Sequence, residues 1–239
     1  MVKGRLVFAW LVLLLVALAV PLPAQQPARQ DINAPWRSPN VEPLVERLES
    51  ESREIYHERR RLAELVAPRP GSVVADVGAG SGFMVELFSE QVGLRGKVYA
   101  VDINPKLLDL ISERARKDGR TNIETLLATD DDTRLPANSV DLVFICDTYH
   151  HFEHPERNLR SLYRALRPGG EIVVVDFRRA ENETDSFLRE HVRATPEVFT
   201  REILAAGFEL VARHDAPFLS QNFVYRFRKP AASVAGSKP

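Results

Sequence analysis

Runs of apolar residues alternate with segments of helical periodicity over most of the chain. Short runs rich in valine, isoleucine and leucine are typical of buried strands, and apolar residues that recur every three or four positions are typical of helices. After a first strand that begins at Val73, this pattern predicts helix 82–92, strand 97–102, helix 105–118, strand 123–128, strand 140–146, helix 156–166 and strand 171–177. Such alternation predicts an α/β fold, with a parallel sheet and helices on both of its faces.

The regions on either side of this alternation have a different pattern. Before the first strand, one apolar stripe at helical spacing predicts a helix that ends at Pro68-Arg69-Pro70-Gly71. The residues of this stripe are Leu44, Leu48, Ile55, Leu62 and Leu65. After the last strand of the alternation, a predicted helix from Thr195-Pro196 to Gly207 precedes two strands, 208–214 and 222–228, joined by a turn.

The first strand leads into a glycine-rich turn. The run Val73-Val74-Ala75-Asp76-Val77 is followed by Gly78, Gly80 and Gly82. Glycines are needed here because the turn demands unusual backbone angles and because a ligand must lie against bare backbone. The phosphate-binding pattern G-x-G-x-x-G would place its last glycine at position 83, where this chain has Phe83.

An acid at the end of the second strand adds to this ligand site. Asp102 follows Lys97-Val98-Tyr99-Ala100-Val101 and lies about twenty residues beyond the turn, which is the spacing of a carboxylate that binds a ribose. The turn and Asp102 together indicate an adenosyl ligand without a pyrophosphate. S-adenosylmethionine is the candidate that fits this description.

Further motifs follow in the order found in one enzyme family. They are Asp130-Asp131-Asp132-Thr133-Arg134-Leu135-Pro136, Ser139-Val140-Asp141-Leu142-Val143-Phe144-Ile145, Tyr149-His150-His151-Phe152 with Pro155, and Leu166-Arg167-Pro168-Gly169-Gly170-Glu171-Ile172. Together with the glycine turn and Asp102, they resemble the class I S-adenosylmethionine-dependent methyltransferases over residues 56–228. The resemblance implies a doubly wound, mostly parallel seven-stranded sheet of order 3-2-1-4-5-7-6, with a terminal antiparallel hairpin.

The resemblance also implies which residues bind S-adenosylmethionine. The methionine part is expected to lie along the backbone of the glycine turn, which consists of Gly78, Ala79, Gly80 and Gly82. Asp102 is expected to accept both ribose hydroxyls, and Ile103 to pack on the adenine. Asp131, with Asp132 as its close alternate, takes the position of the acid that meets the adenine amine, whereas Asp130 is expected to be a charged turn residue.

Two more contacts with the cofactor are expected. Asp76 is predicted to orient the glycine turn and to contact the amino group of the methionine part. Arg53, Tyr56 and Arg60 share one face of the predicted N-terminal helix. Because such a helix closes over the cofactor in related enzymes, the resemblance implies that Tyr56 or Arg60 reaches the cofactor's carboxylate; a solvated helix face is the alternative.

The acceptor of the methyl group is expected beyond the fourth strand. Asp147, Tyr149, His150 and His151 leave the carboxyl end of that strand, where open α/β sheets place their ligands. A neutral histidine there is able to take a proton from a hydroxyl acceptor, so Asp147, His150 and His151 are the candidate catalytic residues. The alternative is structural, with a histidine that only caps the next helix or packs.

A metal site is not predicted at these residues. A metal site would be suggested by the group Asp147, His150, His151 and His154, since histidines four positions apart share a helix face. Pro155, however, indicates that a helix begins only after them. His191 and Arg193, which precede the last helix, are further candidates for contact with the acceptor.

The N-terminus has the pattern of an export signal. Lys3 and Arg5 precede an uncharged apolar run, Leu6–Val20, and a candidate cleavage point at Ala24. We therefore divide the chain into a signal peptide or N-terminal anchor at 1–24, a flexible linker at 25–40, a methyltransferase domain at 41–229 and a disordered tail at 230–239. Either outcome at the N-terminus predicts an exported protein, periplasmic or secreted, with membrane contact only through this segment.

The composition of the chain restricts the ligands and reactions that fit it. The formal net charge of −1 gives no basic field for nucleic acid. The single cysteine, Cys146, excludes an internal disulfide and argues against the methylation of arsenic, for which some relatives use several cysteines. We expect a small-molecule substrate with an oxygen, nitrogen or carbon nucleophile; the sequence leaves the oligomeric state open. The alternative is an exported adenosyl-ligand-binding or vestigial domain without catalytic activity.

Overall fold

The structure, a computed structural model, describes residues 32–231. The predicted signal segment, the first residues of the predicted linker and residues 232–239 lie outside the described residues. Among residues 32–231, no helix is both long enough and apolar enough to span a membrane.

Within this range, seven strands form one sheet, which confirms the predicted fold. They are β1 (Val73–Val77), β2 (Lys97–Asp102), β3 (Ile123–Leu127), β4 (Val140–Cys146), β5 (Leu166–Phe177), β6 (Glu209–His214) and β7 (Asn222–Arg228). Their order is β3-β2-β1-β4-β5-β7-β6. The first five strands run parallel, and β7 is antiparallel to both of its neighbours, β5 and β6.

Residues 32–231 contain eight α-helices, several of which begin at a proline or at a capping side chain. They are α1 (Glu42–Leu48), α2 (Glu54–His57), α3 (Arg59–Val66), α4 (Phe83–Val92), α5 (Pro105–Lys117), α6 (Pro155–Ala165), α7 (Ser186–His191) and α8 (Pro196–Ala205), with 3₁₀ helices at Ala34–Arg37 and Tyr149–His151. At α5, the side chain of Asn104 accepts a hydrogen bond from the backbone of Lys106, and Pro105 occupies the first turn. Proline also opens α6 and α8.

The sheet has a hydrophobic core on each face. On one face, residues of β1, β4 and β5 pack against α6 and α8, with Leu159, Leu162 and Phe199 fully buried. On the other face, the same strands and β2 pack against α3, α4 and α5, with Val85 and Phe88 fully buried. Burial on both faces explains why these strands are nearly continuous apolar runs, and it fixes the positions of the strand ends that form the site.

The predicted N-terminal helix is divided into α1, α2 and α3. The break between α1 and α2 contains Ser50 and Ser52, whose hydroxyl groups hydrogen-bond to each other at 2.7 Å, and Ser50 Oγ also accepts from the backbone of Ser52. Serine hydroxyls that bond locally compete with the helix. The following residue, Arg53, has extended backbone angles, and this change of direction carries its side chain towards the end of β4.

Part of the predicted flexible linker has a defined structure. Residues 34–37 form a 3₁₀ helix, and the side chain of Asn33 is buried and donates to the carbonyl of His151 at 3.1 Å. The amide of Asn104 donates to the carbonyls of Trp36 and Ser38 at 2.7 and 3.0 Å. These bonds join the segment to two loops of the domain, which the polar composition of 25–40 did not indicate.

Candidate active site

One large cavity opens at the carboxyl ends of the parallel strands. Its empty volume is about 1250 Å³, the part open to solvent included, and its wall contains the last residues of β1, β2, β4 and β5. This is the position at which strand order reverses in an open α/β sheet, and ligands bind there in such folds. The cavity has two ends, which differ in their chemistry.

The glycine turn after β1 forms the first end. Gly78 and Gly80 have positive φ angles of 77° and 55°, and the backbone N–H of Gly78 donates to the carbonyl of Val101 at 2.8 Å. A Cβ on Gly78 would lie 2.8 Å from Thr148 Cβ and closer still to Oγ1 and Cγ2 of Thr148. A Cβ on Gly80 would lie 2.9 Å from Leu48 Cδ1. Packing as well as backbone angle therefore requires glycine at position 78, whereas at position 80 the positive φ angle is the main requirement, because the end of the Leu48 side chain is flexible.

Gly82 and Ala79 have different places in the turn. Ala79 lines the cavity. Gly82 is not part of the cavity wall; it is the N-cap of α4 with a φ of 86°, and a Cβ there would lie 2.7 Å from Ile111. The role of Gly82 is therefore the close packing of α4 on α5.

Asp102 ends β2 at the cavity wall and orders the turn. Its carboxylate accepts hydrogen bonds from the backbone N–H groups of Gly80 and Asn104, both at 2.9 Å. Burial raises the pKa of this carboxyl, while the bonds from Asn104, Gly80 and Ile103 lower it. Since a carboxylate offers about four lone-pair positions, Asp102 keeps acceptor capacity for a hydroxyl donor. Ile103 and Ala128 supply apolar surface beside it.

Asp76 is a buried acid of the site whose pKa is strongly raised. It is 3% exposed and lines the cavity. Burial, reinforced by the negative charge of Asp102, raises its pKa from 3.8 to about 8. A cation beside Asp76 would restore the charged form, because it offsets the cost of burial.

The three consecutive acids occupy different places from those predicted. Asp130 lies at the cavity wall and pairs with Arg37. Asp131 pairs with Arg157 at 3.2 Å and Asp132 with Arg164 at 2.9 Å, and the cavity wall includes neither.

Among the N-terminal residues, the structure brings Arg53 rather than Tyr56 to the cavity. Arg53 donates to Asp147 Oδ2 at 2.7 Å, and Asn222 of β7 donates to Asp147 Oδ1 at 2.6 Å. Tyr56 instead packs edge-on against Phe83, outside the cavity wall. Burial raises the pKa of Asp147, an effect that Arg53 opposes. Both oxygens of Asp147 are thus paired, and its role in the structure is to hold Arg53 at the wall.

Arg60, the other residue expected at the cofactor's carboxylate, is not part of the cavity wall either. The guanidinium groups of the N-terminal helices that line the cavity are therefore those of Arg47 and Arg53.

A histidine held by a carboxylate defines the second end of the cavity. His150 and His151 lie on the 3₁₀ helix after β4 and line the cavity. Nδ1 of His150 is 2.8 Å from Oδ1 of Asp176, and the backbone N–H of His150 donates to Oδ2 of the same residue at 3.1 Å. Because the carboxylate accepts from Nδ1–H, the lone pair of His150 is on Nε2.

His191 completes this end of the cavity. Its ring centroid lies 5.0 Å from that of His150 and 5.1 Å from that of His151. Burial lowers the pKa of His151 to about 2 and that of His191 to about 4, and the neighbouring imidazole of His150 and the guanidinium of Arg47 add to both shifts. Both rings are therefore neutral near pH 7.

Other candidate residues have structural positions. The guanidinium of Arg193 binds both carboxylate oxygens of Glu202 at 2.7 and 2.6 Å, away from the cavity wall. Burial raises the pKa of the Cys146 thiol well above its ordinary value. His154 is exposed at the N-cap of α6.

Asp176 is the main residue that the sequence analysis missed. It lies at the end of β5 and is fully buried. A carboxylate in an otherwise apolar strand, Val173-Val174-Val175-Asp176-Phe177, requires a partner, since unpaired buried charges are costly. That requirement was a signal in the sequence, although it did not identify His150 as the partner.

Comparison with known proteins gives consistent matches. A family model described as a methyltransferase domain matches residues 75–174. The chain is 30% identical over 172 residues to the ubiquinone/menaquinone biosynthesis C-methyltransferase UbiE of Salmonella arizonae, a match that covers 60% of this chain and 68% of that protein. With the protein of the same name from Ectopseudomonas mendocina, identity is 29% over 66% of this chain and 73% of the relative.

Not every relative is matched over this much of its length. With the Hydrogenovibrio crunogenus protein of the same name, the match is 30% identical and spans 51% of this chain and about half, 48%, of the relative.

Solved structures share the fold. A S-adenosylmethionine-dependent methyltransferase from Aquifex aeolicus is 25% identical, with a TM-score of 0.64 over 77% of this chain and 96% of that one. The [4+2]-cyclase SpnF has a TM-score of 0.71 at 16% identity, over 86% of this chain and 97% of that one. At that identity, the second likeness concerns the fold alone.

Proposed function

Because the chain belongs to the class I S-adenosylmethionine-dependent methyltransferases, we propose that it transfers the cofactor's methyl group to a small molecule bound at the histidine end of the cavity. The observation that carries this proposal is that a single cavity has the glycine turn and Asp102 at one end and the Asp176-held His150 at the other. The two ends provide places for the donor and the acceptor of the methyl group.

The residues of the first end fit this cofactor. Asp102 offers a carboxylate acceptor for the ribose hydroxyls, and Ile103 offers an apolar face for the adenine. Asp76 needs a nearby cation, and the methionine part of S-adenosylmethionine carries an ammonium and a sulfonium. Arg53 presents a guanidinium at the same wall, suited to the cofactor's carboxylate.

The acceptor that we propose is an aromatic ring with a hydroxyl group. The names of the UbiE relatives describe C-methyltransferases of ubiquinone and menaquinone biosynthesis. The cavity wall of this chain adds Trp36, Phe152, Phe177 and Phe187 around the histidines. Flat aromatic surfaces of this kind suit a planar ring.

In this proposal, His150 serves as the base. The cofactor supplies an electrophilic methyl group on sulfur. Asp176 orients His150, and Nε2 takes the proton of the acceptor's hydroxyl, which makes the ring electron-rich. Transfer would then break the methyl–sulfur bond as the bond to the acceptor's oxygen or ring carbon forms, and a methylated ring carbon would lose its proton to restore the aromatic ring. The protein otherwise positions the two reactants in line.

We propose further that the protein acts outside the cytoplasm. Lys3, Arg5 and the uncharged run Leu6–Val20 support this proposal, through their likeness to an export signal. Cell fractionation with N-terminal sequencing tests it, with cleavage expected near Ala24. Full-length protein recovered from the soluble cytoplasm would contradict it.

The proposed activity is tested with a labelled cofactor. The protein is incubated with methyl-labelled S-adenosylmethionine and a panel of phenols, catechols and hydroquinones, and products are identified by mass spectrometry. We expect label in at least one ring compound. Asp102→Ala is the control for the cofactor site, since each lost hydrogen bond to the charged group should weaken cofactor binding by about 1.5–3 kcal/mol.

Two results would contradict the proposal. Tight binding of S-adenosylmethionine without any labelled product, from the panel or from cell extracts, would favour an adenosyl-ligand-binding module without activity. Tighter binding of NAD than of S-adenosylmethionine would instead contradict the cofactor.

A further inference from the structure

The histidines at the acceptor end form a compact cluster of ring nitrogens. One nitrogen each of His150, His151 and His191 lies within 4.8 Å of the other two. His150 is 1% exposed and His151 is 8% exposed. Nε2 of His150 and Nδ1 of His151 are buried and have no hydrogen-bond partner within residues 32–231. Buried, unpaired nitrogens on two of three neighbouring imidazoles point to a ligand, because leaving such atoms unpaired costs free energy.

We propose that His150, His151 and His191 form a binding site for a divalent transition-metal ion of the zinc type. Imidazole is a preferred ligand of such ions, and three histidines with an open fourth position form a known type of zinc site. The cavity lies on the open side, since all three residues line it.

The distances require only a small adjustment. Zinc binds imidazole nitrogen at about 2.0–2.1 Å, which places tetrahedral ligands roughly 3.4 Å apart. The longest separation in the cluster must therefore shorten by about 1.4 Å. His191 is half-buried at the end of the six-residue helix α7, so its ring is the one with room to move.

Asp176 supplies the outer partner that metal-binding histidines usually have. Its carboxylate accepts a hydrogen bond from Nδ1–H of His150 at 2.8 Å, so the lone pair of the neutral His150 ring is on Nε2. A carboxylate in this position fixes the ring's orientation and makes the other nitrogen a stronger ligand. Its negative charge also offsets part of the cost of placing a cation in a buried site.

This inference goes beyond the proposed function and does not depend on it. The ion and the acceptor's proton use the same lone pair of His150, so each excludes the other from Nε2. The metal-bound protein is therefore a second state of the acceptor end, separate from the methyl transfer.

The test measures metal binding directly. Metal-free, untagged full-length protein is titrated with Zn²⁺ by calorimetry and with Co²⁺ by visible absorption. We expect one ion per chain and the intense absorption of tetrahedral Co²⁺. Asp176→Asn should weaken Zn²⁺ binding about 10–100-fold, as is typical for the loss of an outer partner. His191→Ala, which removes a ligand, should weaken it further.

His154→Ala is the matched control, because His154 is exposed on the same loop and outside the cavity. It should bind Zn²⁺ as the unmodified protein does. Absence of tetrahedral Co²⁺ absorption in the unmodified protein, or equal Zn²⁺ affinity in His191→Ala, would overturn the proposal. The Co²⁺ titration uses the unmodified protein, so its result does not depend on whether a variant folds. Since neither cofactor nor acceptor is present, failure here leaves the proposed methyl transfer unaffected.

Discussion

The two ends of the cavity are built in different ways. The cofactor end consists of backbone and of residues close in sequence to two strand ends, with Asp102 bound to the N–H groups of Gly80 and Asn104. The acceptor end consists of side chains from distant segments: His150 follows β4, Asp176 ends β5, and His191 ends α7. A turn dictated by backbone angles leaves a motif in the sequence, whereas a cluster of distant side chains leaves only isolated residues.

The largest effect is expected from the acceptor end. His150→Gln should lower the rate of methyl transfer by about 10²–10⁴, the usual contribution of a general base, and leave cofactor affinity unchanged. Single-turnover kinetics and cofactor calorimetry measure the two quantities. His57→Gln is the control, because that histidine is exposed on α2. Equal rates in His150→Gln and the control would show that positioning alone suffices.

The next largest effect is expected on the stability of the glycine turn. Comparison of two glycine variants separates the cost of backbone strain from the cost of steric overlap. Gly71 and Gly78 have similar φ angles, 82° and 77°, but a Cβ on Gly71 meets nothing within 4 Å. Gly71→Ala should therefore cost only the strain of a left-handed residue, about 1–2 kcal/mol of unfolding free energy. Gly78→Ala should cost a further 1–3 kcal/mol, roughly, because of its overlap with Thr148.

Urea unfolding of both glycine variants measures this difference. Adding Thr148→Gly to Gly78→Ala should recover the steric part and leave the strain. If the two single variants were equally stable, packing against Thr148 would have no part in the choice of glycine at position 78.

A smaller effect follows from the raised pKa of Asp76. Between its ordinary value of 3.8 and about 8, the folded protein holds a proton that the unfolded chain has released. The free energy of unfolding should therefore fall as pH rises, by about 1.4 kcal/mol per pH unit from this group. Asp76→Asn should remove that slope in cofactor-free protein unfolded by urea at pH 5, 6 and 7. Parallel pH profiles of the two proteins would refute the assignment.

The smallest effects are expected for the exposed acids. Asp131→Asn and Asp132→Asn should leave cofactor affinity unchanged and cost at most about 1 kcal/mol of stability, as exposed ion pairs do. Asp130→Asn, at the cavity wall, should weaken cofactor binding more than either. Calorimetry with S-adenosylmethionine ranks the three, and a larger loss in Asp131→Asn would restore the assignment made from the motif.

The sheet and most helix boundaries could be predicted because local signals determine them. Pro105 and Pro155 open their helices where the sequence indicated, and the apolar strands follow from burial on both faces. The break after α1 could not be predicted from the apolar stripe, because the stripe continues through it while Ser50 and Ser52 bond locally.

At the site, the spacing of the motifs indicated the residues that follow strands β1 and β2. It did not indicate the positions of Asp131 and Asp132, which depend on a turn. The side chain of Thr129 donates to Asp131 and accepts from the backbone of Asp132, which directs these acids outwards and leaves Asp130 at the cavity. The packing of Trp36 edge-on against His151 depends on tertiary contact between segments more than a hundred residues apart. The first effect depends on the hydrogen bonds of one turn and the second on tertiary contact, and the spacing of the motifs indicates neither.

The N-terminal segment has a kinetic consequence. Asn33, Trp36, Leu48 and Arg53 all belong to the cavity wall, and they precede the first strand of the domain. We expect the exchange of spent cofactor for fresh cofactor to require this segment to move and return in every catalytic cycle. Opening of such covers, rather than chemistry, limits turnover in many enzymes. The hydrogen bonds from Asn33 and Asn104 that hold the segment in place would then set the pace of multiple turnovers, while a single turnover would not depend on them.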